Sequence, residues 1–318
     1  MTLLITAEDI AKLPLSTETV IPIMEDLFRA AGHRTTENPA RFRMPFRKGF
    51  LQFGPAALHD HNLVGFKLWA NFGTKAREGW DFLFSTETSE LTAIIHSFAI
   101  SRMRTSATSG LAARYLSRPD AAVIGLYGAG RQAEAQVRAV CAVRRIEEVR
   151  VFSRTPANRE SFCAGLTGRL GIRAVPVAEG AGAADADIVI TMTNSDTPVL
   201  CGEWLKRPCL IIAAGANHWY KREIDGEVIE RSALIVADQI EQAKVEGGDL
   251  LWAIAHGHLT WDRVSELGDV VVGRARLPDL TRETVLFESH GLAIEDVAVA
   301  HRAYELARER GLGREISL

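Results

Sequence analysis

Short apolar runs alternate with stretches of helical spacing through the middle of the chain. Residues 121–127 (AAVIGLY) form a compact apolar run that ends at glycines, and from Arg131 onward Ala133, Val137, Val140 and Cys141 share one helical stripe. Further strands are predicted at 149–153 (VRVFS), 173–177, 187–193 (DIVITMT), 210–215 (LIIAAG) and 234–238 (LIVAD). Apolar strands separated by helices predict a parallel sheet covered on both faces. The first part of the chain reads differently. An amphipathic helix is predicted at 17–31 and would stop at Gly32; strands follow at 41–46, 49–53, 62–72, 80–85 and 92–98. Strands without intervening helices predict an antiparallel or mixed sheet. Residues 102–116 and 292–310 read as helices, the second with Ile294, Val297 and Tyr304 on one side. Such a terminal helix is expected to pack back on the first domain and make it discontinuous.

The strand at 121–127 runs directly into Gly128-Ala129-Gly130-Arg131-Gln132-Ala133. This is a GxGxxA fingerprint between a strand and a helix, with a second strand in place behind it. Gly128 permits the tight turn, Gly130 lets backbone approach a pyrophosphate, and Ala133 keeps the helix close to the sheet. Phosphates would sit on N–H groups at the helix N-terminus. The predicted fold class is therefore α/β. A Rossmann-like dinucleotide-binding domain at 116–289 is joined to a smaller, discontinuous α+β domain at 1–115 and 290–318. The residue at the end of the second strand discriminates NAD from NADP. An acid that would hold a ribose 2′-hydroxyl is missing there, and Ser153, Arg154 and Arg159 stand in its place. The expected cofactor is NADPH, with NADH possible. Thr193, closing the strand at 187–193, is a further candidate to touch it.

In residues 62–72 (NLVGFKLWANF), alternation puts Val64, Phe66, Leu68 and Ala70 on one face. Gly65, Lys67, Trp69 and Asn71 fall on the other. A lysine beside Trp and Asn in such a strand predicts an enclosed polar cavity. A desolvated lysine can donate a proton near neutral pH. Arg41 and Arg43 alternate in ARFRM, and Arg104 opens RTSATSGLAARYL. A guanidinium fork suits a substrate carboxylate.

Composition limits the alternatives. With 318 residues, the chain is about twice a ~150-residue domain prior. Hydrophobic residues at 47% and charged residues at 24% exclude a disordered or fibrous chain. No apolar window approaches ~18 residues, so no membrane span is expected, and the first residues lack the basic region of a secretory signal. A net charge of −3 without a basic block gives no footprint for nucleic acid. Cys141, Cys163, Cys201 and Cys209 are scattered without metal spacing, which suits a reduced, cytoplasmic protein and no metal site. Only seven of the 37 basic residues are lysines, so Lys67 in an apolar strand stands out more than any one arginine does.

Taken together, RTSATSGLAARYL (104–116) followed by YGAGRQAEAQ, the strand GFKLWANF, GANHWYKREID (215–225), TVLFESHGLAIEDVAVAHRAYELA (284–307) and the opening LLITAEDIAKL resemble the ornithine cyclodeaminase/mu-crystallin family over nearly the whole chain. The resemblance implies a homodimer of two-domain subunits, the smaller domain barrel-like and carrying the dimer interface, with the active site between the domains. Substrate-binding positions of the family fall on Arg41, Lys67 and Arg104. The shared chemistry is hydride transfer at a carbon bearing nitrogen and a carboxylate. The resemblance thus implies an NAD(P)-dependent reductase of an α-imino acid or cyclic ketimine, or the reverse amino-acid dehydrogenase, with Lys67 as proton donor and Asn217 orienting substrate or cofactor. Alternatives are an ornithine cyclodeaminase and a mu-crystallin-like binding protein for dinucleotide and a small carboxylate. Two departures count against cyclodeamination. Asn217 stands where the cyclodeaminases carry a catalytic Asp, and an amide cannot act as a base. Their HPxN-like continuation is replaced by Asn71-Phe72-Gly73.

Overall fold

The computed structural model describes residues 1–73 and 78–317. The chain opens with β1 (Thr2–Ile5), α1 (Ala7–Ala11) and α2 (Thr17–Gly32), the last entered through a Ser16–Thr19 capping box. Strands β2 (Thr36–Glu37), β3 (Phe42–Phe46), β4 (Gly49–Leu58), β5 (Leu63–Asn71), β6 (Glu78–Ser85) and β7 (Leu91–His96) follow, and then the long helix α3 (Ser97–Leu116). The central part holds β8 (Val123–Tyr127), α4 (Ala133–Cys141), β9 (Glu148–Phe152), α5 (Pro156–Leu170), β10 (Arg173–Pro176), α6 (Gly180–Ala184), β11 (Ile188–Thr191) and β12 (Leu210–Ala213). It continues with α7 (Gly226–Arg231), β13 (Ser232–Ala237), α8 (Ile240–Glu246), α9 (Gly248–Ala255), β14 (Val264–Glu266), α10 (Leu267–Val271) and β15 (Thr284–Glu288). The chain ends with α11 (Ala293–Arg310) and β16 (Arg314–Ile316).

Two compact units result, Met1–Thr105 with Gly291–Leu318, and Ser106–His290. In the first, the strand order is β16-β1-β7-β6-β5-β4-β2, with β3 also on β4. The sheet is mixed, because β1 pairs parallel to β7 while the meander from β4 to β7 is antiparallel. The path runs from β16 at one end to β2 at the other. α11 packs on β4, β5 and β6 and against α2, whose Val20, Ile21, Met24 and Phe28 are buried. The terminal helix thus completes the core of the first unit.

Of the two faces that alternation separates in residues 62–72, the one carrying the lysine is the inner one. The face carrying Gly65, Lys67, Asp81 and Leu83 is the buried one. Val64, Phe66 and Leu68 share the other face with Phe42 and Phe53, where Phe66 stacks on Phe82 at 4.7 Å. Phe42, Phe53 and Val64 on this face are exposed.

In the second unit the order is β10-β9-β8-β11-β12-β15-β13-β14, parallel throughout. Most residues of β8, β11, β12 and β15 are apolar and buried on both faces, as a helix-covered parallel sheet requires. Asp187, just before β11, fixes the entry to β8. Its carboxylate accepts from Ala122 N at 3.0 Å and Val123 N at 2.9 Å, and pairs with Arg118 at 2.7 Å and Arg207 at 3.1 Å. Both arginines are partly exposed, which screens the ion pairs, so most of the loss in Asp187→Ala comes from the two stranded N–H groups. A destabilisation of about 2–4 kcal/mol is expected by chemical denaturation. A change under about 0.5 kcal/mol would contradict this role.

Candidate functional site

The glycine loop leaves β8 at Tyr127. Gly128 adopts φ +108°, a conformation open to glycine, and its amide donates to Phe152 O at 2.9 Å, tying the loop to β9. A Cβ on Gly128 would meet the Met192 carbonyl and lie 3.3 Å from Thr193 Cγ2, so Thr193 borders the turn. A Cβ on Gly130 would meet nothing within 4 Å. Gly130 is therefore not needed for packing; the space beside it is what a pyrophosphate pressed on the backbone would take. Helix α4 begins at Ala133, two residues later than the spacing predicted, and Arg131 and Gln132 form the turn before it. At the end of β9, Ser153 is half-buried, Arg154 is exposed, and Arg159 Nη1 donates to Ser153 O at 3.0 Å.

Behind this loop lies a residue that sequence reading passed over. The Glu223 carboxylate accepts from Thr193 N at 2.5 Å, Gly215 N at 2.7 Å and Thr191 Oγ1 at 2.9 Å. One carboxylate thus ties the ends of β11 and β12 together. Burial pushes its acidity weaker, against the pull of these donors. Asp249 in turn accepts from Glu223 N at 2.9 Å and Ile224 N at 3.0 Å. The loop held this way carries Asn217, whose Oδ1 lies 2.9 Å from His218 Nδ1.

In the first unit, Lys67 and Arg104 converge on the first turn of α11. Lys67 Nζ is 2.9 Å from Asp296 Oδ1 and bonds to the Ser101 hydroxyl. Arg104 Nε meets the same Asp296 oxygen at 3.1 Å, and its Nη1 meets Glu295 Oε2 at 2.8 Å. Lys67 therefore sits in a buried ion cluster. Burial works against the charge on Asp296, but Arg104 and Lys67 outweigh it and hold the carboxyl below its ordinary range. Burial likewise opposes the Arg104 charge, and Asp296 and Glu295 more than restore it. The acids stand where a helix N-terminus favours negative charge, and Asn38 Oδ1 caps the same turn through Ile294 N at 3.0 Å.

Arg41 is buried, and its Nη1 donates to the Gly291 carbonyl at 3.0 Å. Gly291 has φ +75°, and any Cβ there would strike the Arg104 guanidinium. The three basic residues singled out in the sequence thus belong to one cluster around residues 291–296. Sequence reading missed its acids. Adjacent Glu295 and Asp296 within the otherwise apolar first turns of the helix, residues 292–300, were the available signal. No group of three or more His, Cys, Asp or Glu suited to a metal occurs among the described residues. No helix among them is long and apolar enough to cross a membrane.

The ornithine cyclodeaminase/mu-crystallin family profile matches residues 1–311. The alanine dehydrogenase of Archaeoglobus fulgidus is 32% identical over 323 residues, covering 99% of this chain and 98% of that protein. The Thermococcus litoralis Δ1-pyrroline-2-carboxylate reductase, solved with NADH and L-proline, superposes with TM-score 0.93 at 31% identity, covering 99% of this chain and 100% of that one. An archaeal alanine dehydrogenase dimer with bound NAD gives TM-score 0.94 at 30% identity, over 100% and 99% of the two chains. The chain belongs to the ornithine cyclodeaminase/mu-crystallin family, and its relatives there include NAD(P)-dependent imino-acid reductases and amino-acid dehydrogenases.

Proposed function

We propose that this protein reduces an α-imino acid or cyclic ketimine to the amino acid with NADPH. The observation that carries the assignment of roles is the buried Lys67–Asp296–Arg104 cluster, reached by Arg41 through Gly291. Arg41 and Arg104 bind the substrate carboxylate. Lys67, oriented by Asp296 and Ser101, gives its proton to the imine nitrogen as the carbon becomes tetrahedral. A bound reduced dinucleotide supplies the hydride to that carbon. Residues Gly128, Ala129, Gly130, Arg131 and Gln132 would hold its pyrophosphate, with Thr193 beside the turn, and the open side of Gly130 fits that load. Ser153 and Arg154 would take the 2′-phosphate, since no acid stands at the end of β9.

Asn217 orients substrate or cofactor. Its amide supplies no base for deamination with ring closure, which disfavours a cyclodeaminase. A dimer is supported by the exposed apolar side chains of Phe42, Phe53 and Val64, which share one sheet face. The second copy is proposed to cover this face through the first unit.

The reaction is tested with a cyclic imine and both reduced dinucleotides. Lys67→Met is expected to lose about 10²–10⁴-fold in kcat while keeping dinucleotide affinity. Wild-type protein given ornithine is expected to release little ammonia. Near-normal reduction by Lys67→Met would remove the lysine from the mechanism, and brisk ammonia release would restore the lyase.

The loop is tested separately. Gly130→Val is expected to keep its Tm, because its side chain meets open space, and to lose dinucleotide affinity. Undiminished affinity in that folded variant would refute the assignment. For the phosphate, Arg154→Ala should weaken NADPH roughly tenfold to a hundredfold and leave NADH nearly unchanged. Equal loss with both cofactors would rule out a 2′-phosphate contact.

A further inference from the structure

The buried face of the first sheet holds an acid that the proposed reaction does not use. Asp81 lies on β6 directly opposite Lys67 of β5, so the two side chains share a face. It is fully buried, and neither of its oxygens makes a hydrogen bond. The Ser97 hydroxyl is near enough to favour the ionised form, but the two do not meet in a formed bond. The charged groups around it are Lys67 from β5, Arg104 from α3, and Asp296 from α11, with Glu295 paired behind Arg104. From β7 the residue opposite is apolar Ile95. Among the four paired groups, Lys67 and Arg104 balance Glu295 and Asp296. Arg41, at the Gly291 carbonyl, adds one positive charge, which an ionised Asp81 would cancel, so the state of Asp81 decides the net charge of the cluster.

We propose that Asp81 is a positioning residue that gates the affinity of the carboxylate site: protonated, it leaves the Lys67–Arg104 cluster open to an anion, and ionised, it opposes one. The inference rests on the reading that Arg41, Lys67 and Arg104 bind the substrate carboxylate. Physical support comes from burial first and the nearby Asp296 charge second, which together push Asp81 up to about 7, against the pull of Lys67. The sign follows. Below neutrality Asp81 carries its proton and the site accepts a carboxylate. As pH rises through about 7 the proton leaves, a negative charge appears behind Lys67, and affinity falls. Conversely, a bound carboxylate favours the protonated acid. If it raises the pKa of Asp81 by about one unit, binding differs roughly tenfold between the two states.

The test uses furan-2-carboxylate, a planar α-carboxylate without a titrating nitrogen, as a competitive ligand of the intact protein. Its dissociation constant is measured from about pH 6 to pH 9 for wild type and Asp81→Asn, with Asp81→Val as a second neutral variant should the first fail to fold. Wild-type affinity is expected to fall roughly tenfold across neutrality. The neutral variants should hold the low-pH affinity throughout. A purely packing role would lower affinity equally at every pH and leave the profile in place. A flat wild-type profile, or one that persists in both variants, overturns the proposal. Absence of binding at any pH overturns the carboxylate reading itself, and the gate with it.

Discussion

Everything in the first unit turns on burying two cations beside one another. Lys67 and Arg104 would repel strongly away from water, and burying either without a counter-charge is costly. Asp296 resolves this by meeting both through a single oxygen, and Glu295 takes the rest of Arg104. Several features of the chain follow from that constraint. Helix α11 must return from the far end of the sequence to supply the acids. Gly291 must lack a side chain where the arginines approach the turn. The sheet must also turn its polar face inward and leave its aromatic face outside.

The second unit applies the same economy to backbone groups. A parallel sheet ends in loops whose N–H groups need partners. Glu223 gathers three donors from the ends of β11 and β12, and Asp249 holds Glu223's own amide. Two buried acids thereby shape the loops around the glycine turn without themselves standing in it.

Most of the architecture was legible because period and punctuation agree. The run at 121–127, its glycines and the stripe from Ala133 locate β8 and α4, and alternation in residues 62–72 locates β5 with Lys67 on the correct face. Hydropathy alone would put the other face inside; it is the lysine beside Trp69 and Asn71 that marks its own face as the enclosed one. Val64 and Phe66 are more apolar than Gly65 and Lys67, yet the second pair is enclosed, because the helix covering that face arrives from residues 293–310. Long-range partners were invisible. Parallel pairing of β1 with β7, and the capture of Arg104 by Glu295 and Asp296, join segments far apart in sequence. Asp81 was hidden by its neighbours, since Trp80 and Phe82 make the segment read as an ordinary apolar strand.

The central claim is net hydride transfer to the carbon next to a carboxylate. Its most direct measurement is a single turnover with NADPH deuterated at the transferring position and a cyclic α-imino acid, the product read by NMR. The account predicts one deuterium on the α-carbon for each dinucleotide oxidised. Product formed without deuterium, or no net oxidation of the dinucleotide, would contradict it.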